Sequence, residues 1–183
     1  MHKRQCPGCP SQSGEIASHF LVDVLLEFRF VVDEFPDVIF VWAGDGDERQ
    51  ALETQVQQQN LQRYVRFLGY RADISRLLRA SDVFVFPSHL EGGCSASIRE
   101  AMAHRLPIVC SDAGGITEIV NNGTHALVFR VGDIDSMLLQ LRTALSSPAK
   151  MLSLADQARE RILEFSSDRM IDKYFAVLTE LSS

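Results

Sequence analysis

The sequence predicts an α/β fold, a Rossmann-like parallel sheet with helices on both faces. Three observations carry this expectation. Short apolar runs recur along the 183 residues. Segments with helical spacing, roughly ten residues each, lie between them. Turn-forming Gly, Asp, Ser and Pro follow each apolar run. Strands that alternate with helices in this way pair in parallel, because each helix carries the chain back across the sheet. At this length one core can bury roughly 70% of the unfolded surface.

Residues 1–15, "MHKRQCPGCPSQSGE", are polar and rich in Pro, Gly and Ser, and read as a leader or loop. Residues 16–183 read as a single domain with helices at its end. From about His19 to Phe35, apolar residues fall at Leu21, Val24, Leu25, Phe28, Val31 and Val32, and Pro36 ends that helix. "VIFVWAG" is a continuous apolar run, as expected of a strand covered on both faces. The expected strands are approximately 38–43, 64–68, 83–87, 107–110 and 126–129, in one sheet. Expected helices are 47–60, 73–81, 95–105, a short turn in "GITEIV", 133–145, 149–165 and 167–181. In the last two, Met151, Leu154 and Ile162, then Met170, Tyr174, Phe175 and Leu178, keep helical spacing. The apolar face of the last helix is expected to dock on the domain's own sheet or on a second copy.

Composition narrows the function. The apolar fraction is 46%, the charged fraction 23% and the net charge −6, and no block of Lys or Arg is present, which argues against nucleic acid as a partner. An acidic chain can still bind an anion through backbone N–H groups at helix starts. Cys6 and Cys9 have redox spacing in "CPGC", but no βαβ unit surrounds them and no second pair completes a zinc site. His89, His104 and His125 fall on different elements, outside any metal-ligand pattern. No apolar run reaches the ~18 residues of a membrane span, and "MHKR" is not followed by the apolar region of a signal peptide. The chain reads as intracellular.

In open α/β sheets ligands gather beyond the carboxyl ends of the strands. "GDGD", "LGYR", "SHLEGG" and "SDAGG" all fall there. In "PSHLEGGCSAS", Gly92 and Gly93 let backbone approach a ligand without a Cβ in the way. Ser95 and Ser97 can cap the helix that follows, whose first N–H groups suit a diphosphate. Glu91 and Glu100 are acceptors when ionised and suit sugar hydroxyls. Local physics alone equally allows two surface charges and a turn. For "AGDGDE" the plainer reading is a glycine turn with Asp47 capping a helix. "SDAGGIT" suits either an anion or a simple turn.

Taken together, "VIFVWAGDGDERQALE", "VRFLGYRADISRLLRASDVFVFPS", "EGG…IREAMAHRLPIVCSDAGGITEIV" and "HALVFRVGDIDSMLLQL" resemble the C-terminal domain of GT-B glycosyltransferases of family 4, over about residues 20–181. The resemblance implies one half of a GT-B fold. It also implies a retaining transfer of sugar from a nucleoside-diphosphate donor, a UDP- or GDP-sugar, to an acceptor hydroxyl; no metal is expected, since helix N-termini can take a cation's place at the diphosphate. It places Glu91 at the donor sugar, Glu100 at the ribose, and the backbone of Gly92, Gly93, Cys94 and Ser95 at the diphosphate. The loop from Leu68 to Arg71 falls beside the nucleobase. It further implies an acceptor-binding N-terminal domain that this sequence lacks, or a second copy in its place, and a cytoplasmic protein, peripheral at the inner membrane face when full-length.

This sequence departs from the family pattern in three ways. Eight residues separate Glu91 from Glu100, one more than the family's Glu-x7-Glu signature. Glu15 and Phe20 stand where the family carries an Arg and a Lys against the diphosphate. The apolar strand that normally precedes residue 15 is missing, so an exposed sheet edge and self-association are expected. A non-catalytic remnant that binds nucleotide weakly, or only packs against a partner, is the alternative from another class. A sugar-nucleotide epimerase fits the glutamate pair less well.

Overall fold

Strands and helices alternate along the chain as the apolar runs predict. The computed structural model describes Val24, Leu25, residues 27–90, Gly93 and residues 95–181. The leader expected at residues 1–15 lies outside the described residues. Helix α1 includes Val24, Leu25 and residues 27–34. Then follow β1 (Phe40–Ala43), α2 (Arg49–Gln58), β2 (Val65–Gly69), α3 (Ile74–Ala80), β3 (Phe84–Phe86), α4 (Ala96–Ala103), β4 (Ile108–Ser111), α5 (Ile116–Ile119) and β5 (Leu127–Phe129). Helices α6 (Ile134–Ser146) and α7 (Pro148–Ile162), a 3-10 turn (Leu163–Phe165) and α8 (Ser167–Leu181) end the chain. All five expected strands form, within two residues of the expected ends.

The residues cluster into two compact units that meet at Arg71 and Ala72. Among the described residues the strands pair in parallel, but the hydrogen bonds make two sheets rather than the one expected: β1 with β2, and β3-β4-β5.

In the first unit, α1 buries Val24, Leu25, Phe28, Val31 and Val32, and α2 buries Leu52 and Val56. Phe28 stacks on Phe40 with ring centroids 3.7 Å apart, which fixes α1 to one face of β1. Along β1 burial alternates, and Val41 is 50% exposed. The expectation of a strand covered on both faces fails here, because a continuous apolar run records what each residue is and not how many layers lie over it. Helix α2 ends in a left-handed Asn60 at φ 58°, with Leu61 N–H bonded to Val56 O at 2.9 Å and Asn60 N–H to Gln57 O at 3.1 Å. This is the Schellman arrangement, in which the turn satisfies carbonyls that the helix leaves over.

In the second unit β4 is the centre. Its four residues are all buried. Ile108 and Cys110 join Ile98, Ala101 and Met102 of α4 and Ile116 and Ile119 of α5 in one core cluster. Val109 alternates to the other face, and α6 packs on β4 and β5 through buried Met137, Leu138 and Leu141. Asp133 caps α6, its carboxylate accepting from Ser136 N–H at 2.8 Å. Helix α7 lies against α4 and α6 and buries Met151, Leu154, Ala155 and Ala158. The expected docking of α8 on its own sheet does not occur. Its apolar residues, Met170, Tyr174, Phe175 and Leu178 among them, stay exposed, while α7 lies beside α4 and α6. Among the described residues no helix is long and apolar enough to cross a membrane.

Helix α4 also ends in a Schellman turn, with Leu106 N–H on Ala101 O and Arg105 N–H on Met102 O, and here Arg105 takes the left-handed position at φ 57° where glycine is usual. Its guanidinium forks onto both oxygens of Asp156 in α7. That pairing holds the Arg105 charge up and the Asp156 carboxyl below its usual range. Arg105→Gly loses the ion pair but relieves the backbone, whereas Arg105→Ala loses the pair and keeps the strain. In thermal melts the glycine variant is expected to lie above the alanine variant.

Burial, with help from Asp112, pushes the Cys110 thiol up to about 12. An unfolded thiol ionises near pH 8.5. Because the folded value is the higher one, stability held by the neutral thiol is complete below about pH 8.5 and drains away as pH rises toward 12. Cys110 is therefore expected to resist thiol reagents in the native chain and to react on unfolding. Cys110→Ala should flatten the alkaline loss of stability seen in denaturant titrations over that window.

Candidate functional site

The carboxyl edge of β3-β4-β5 carries the candidate site. The last residue of β4, Ser111, is fully buried, and its hydroxyl donates to Ser88 O at 2.6 Å. A buried hydroxyl must find a partner, and this one holds the segment leaving β3 against β4. The next residue, Asp112, receives Val131 N–H at 2.7 Å on its carboxylate and donates its own N–H to Phe129 O at 2.9 Å, which ties the loop after β4 to that after β5. Gly132, at φ 76°, begins the turn into α6, and a Cβ there would stand 3.8 Å from the imidazole of His89. Three successive loops are thus cross-tied at one edge. Gly115 completes them: a Cβ on it would fall 2.5 Å from the carbonyl oxygen of Gly93.

Of the residues the sequence singled out, Gly93 lies beside Gly115 at this edge, and Ser95 and Glu100 lie at the N-cap and in the second turn of α4. Gly93 is exposed. Ser95 is buried at the N-cap position of α4 but forms no capping bond with its side chain, contrary to expectation. Ser97 lies within the first turn of α4 rather than at its cap. Glu100 is exposed on α4, five residues beyond Ser95, and its carbonyl accepts from the His104 N–H at 3.1 Å. Glu91, Gly92 and Cys94 lie outside the described residues, as do Glu15 and Phe20.

Leu68 and Arg71 belong to the other unit. Leu68 is 37% exposed near the end of β2, and Arg71 is exposed just beyond it. Gly44 N–H bonds to Gly69 O at 2.9 Å and ties the ends of β1 and β2 together. Asp47 does not cap α2. The position before that helix is Glu48, also without a side-chain cap, and Asp45 instead takes the Gly46 N–H at 3.1 Å and Arg49 at 3.6 Å. Arg49 also bonds Glu53 at 2.8 Å, which holds its charge up.

Among the described residues the histidines form no metal-binding cluster. His125 precedes β5 at its amino end, where Nδ1 accepts the Asn121 N–H at 3.1 Å. Burial, and then the nearby Arg161, hold this imidazole below its usual range. Among the described residues no three His, Cys, Asp or Glu side chains are placed to hold a metal ion. Sequence reasoning missed Ser111 and Asp112 as the ties between loops. Their signal was present: a polar pair closing an otherwise apolar strand, "IVCSD", at the edge where ligands bind.

Comparison with known proteins places this edge in context. The family described as glycosyl transferases group 1 matches residues 15–147. The chain is 35% identical over 113 residues to the UDP-Gal:alpha-D-GlcNAc-diphosphoundecaprenol alpha-1,3-galactosyltransferase of Escherichia coli, a match that covers 60% of this chain and 29% of that enzyme. The structure resembles that of Anabaena HepE in complex with UDP, with a TM-score of 0.75 and 26% identity over 88% of this chain and 44% of HepE. It also resembles the C-terminal domain of the group 1 glycosyl transferase LpcC from Francisella tularensis, with a TM-score of 0.69 and 21% identity, over 84% of this chain and 80% of that one. The chain spans less than half the length of the galactosyltransferase or of HepE. The likenesses bear out the α/β Rossmann-like fold and the resemblance to GT-B glycosyltransferases. With the family matched over most of its length, this chain belongs to the glycosyl transferases group 1 family.

Proposed function

We propose that this chain is the donor-binding part of a retaining glycosyltransferase that moves sugar from a UDP-sugar to an acceptor hydroxyl. The observation that carries the reading is the cross-tied edge of β3-β4-β5, where Gly93, Ser95 and the start of α4 converge. UDP in the HepE complex and UDP-Gal in the name of the galactosyltransferase favour uracil over guanine as the base.

In this reading the N–H groups around Gly92, Gly93, Cys94 and Ser95 take the diphosphate, helped by the positive end of α4. The uncapped first turn of α4 supports this role, since Ser95 does not occupy those amides with its own side chain. Glu100 accepts the two ribose hydroxyls, and Glu91 the hydroxyls of the donor sugar. In the reaction the bond from the sugar carbon to the diphosphate oxygen breaks and the acceptor oxygen bonds to that carbon on the same face. The acceptor proton leaves with the diphosphate. The acceptor site is supplied by an N-terminal part of the protein or by a second copy, so this chain by itself transfers no sugar.

The charges at the diphosphate set the expected affinity. The resemblance puts Glu15 and Phe20 in the places of two cations, and each charge-assisted bond contributes roughly 1.5–3 kcal/mol. Losing two costs on the order of 3–6 kcal/mol, roughly a hundredfold to ten-thousandfold in affinity. This favours a second reading, a remnant that binds nucleotide weakly and no longer catalyses; transfer of radiolabelled sugar by the full-length protein separates the two.

Calorimetric titration of this chain with UDP is expected to give a dissociation constant of about 1 mM or weaker. Glu15→Arg combined with Phe20→Lys should tighten it; low-micromolar binding by the unaltered chain, or no gain from the pair, would contradict the placement of the diphosphate. Glu100→Gln is expected to weaken UDP about tenfold while leaving inorganic diphosphate unaffected. Equal loss of both ligands would show that Glu100 does not read the ribose.

A further inference from the structure

Gly115 is buried directly before α5, at φ −67° and ψ 0°. Any L-residue adopts these angles, so backbone freedom does not explain a glycine there. Space does. A Cβ on Gly115 would stand 2.5 Å from the carbonyl oxygen of Gly93, 2.6 Å from its carbonyl carbon and 2.7 Å from its Cα. All three are backbone atoms, so no side chain can swing aside to make room. Gly93 itself has open space where its own Cβ would stand. The close approach therefore depends on residue 115 alone.

We propose that Gly115 is a positioning residue for the donor diphosphate. It is the seat on which the β3–α4 loop comes down, and it sets how far that loop stands from the end of β4. Hydrogen bonds to an anion weaken steeply once donors leave their distance and angle, so a loop lifted by one methyl group loses grip on the phosphates while the rest of the fold persists. The inference rests on the donor-binding reading above and assigns a role within it to a residue that touches no ligand.

The test compares Gly115→Ala with the unaltered chain and with Gly46→Ala, whose new methyl group enters open space in the other unit. Hydrogen exchange followed by mass spectrometry should show faster exchange in the peptide spanning residues 88–96 of Gly115→Ala, with β4 and α6 unchanged. Ligand-observed NMR titrations should show UDP weakened about tenfold or more, and uridine, which lacks phosphates, changed by less than about twofold. Gly46→Ala should match the unaltered chain in all three readouts. Unchanged exchange at 88–96, or equal weakening of UDP and uridine, would overturn the proposal. Loss of a cooperative melt in Gly115→Ala would also overturn it, by marking Gly115 as a folding residue. If the unaltered chain binds no UDP, the donor-binding reading fails by itself, and the exchange at 88–96 still decides whether Gly115 seats the loop.

Discussion

Strand β4 is the constraint on which the second unit depends. It pairs on both sides in parallel register, Phe84 to Ile108 on one edge and Val109 to Leu127 on the other. All four of its residues are buried. Buried on both faces, it tolerates no slip, because a shift of one residue would exchange Ile108 and Cys110 with Val109 and Ser111. The same register delivers Ser111 to Ser88 O and Asp112 to Val131 N–H. Packing in the middle of the strand thus fixes the loops at its end, and any ligand chemistry at that edge inherits the precision of the core.

The loops achieve their closeness by different means. Hydrogen bonds join the segments after β3, β4 and β5, and they cost little where buried groups need partners in any case. The approach of Gly93 to Gly115 is of another kind, since it requires an absent side chain rather than a formed bond. Such a contact stabilises nothing by attraction. It permits a backbone path that a methyl group would forbid.

Surfaces left open by the chain contrast with this edge. Val41 on β1 is half exposed, and α8 exposes an apolar stripe from Met170 to Leu181. Exposed apolar residues are ordinary on a surface when scattered. Here they keep strand and helix periodicity. Their pattern matches that of elements built to face another layer, in agreement with a chain that spans less than half of HepE.

The order and type of elements were legible in the sequence. Apolar runs such as "PIVCSD" and helical spacing such as that of Met137, Leu138 and Leu141 depend on neighbours a few residues apart, and such local patterns survive in a linear string. The polar loops also declared themselves, because glycine and acidic residues have little reason to follow a buried strand except to turn or to bind. Tertiary structure alone decided the rest. Whether "VIFVWAG" is covered on one face or two depends on the layers above it, and whether α8 docks depends on which surfaces the other helices leave open. Ser95 looked like a cap and is not one, since its side chain is placed by burial and not by its position before a helix. "SDAGG" allowed a turn or a ligand loop, and the requirement at Gly115 became visible only when residue 93, far away along the chain, stood within 3 Å of its missing Cβ. Contacts between distant residues leave no periodic trace in sequence, because the geometry that selects them does not exist until the chain has folded.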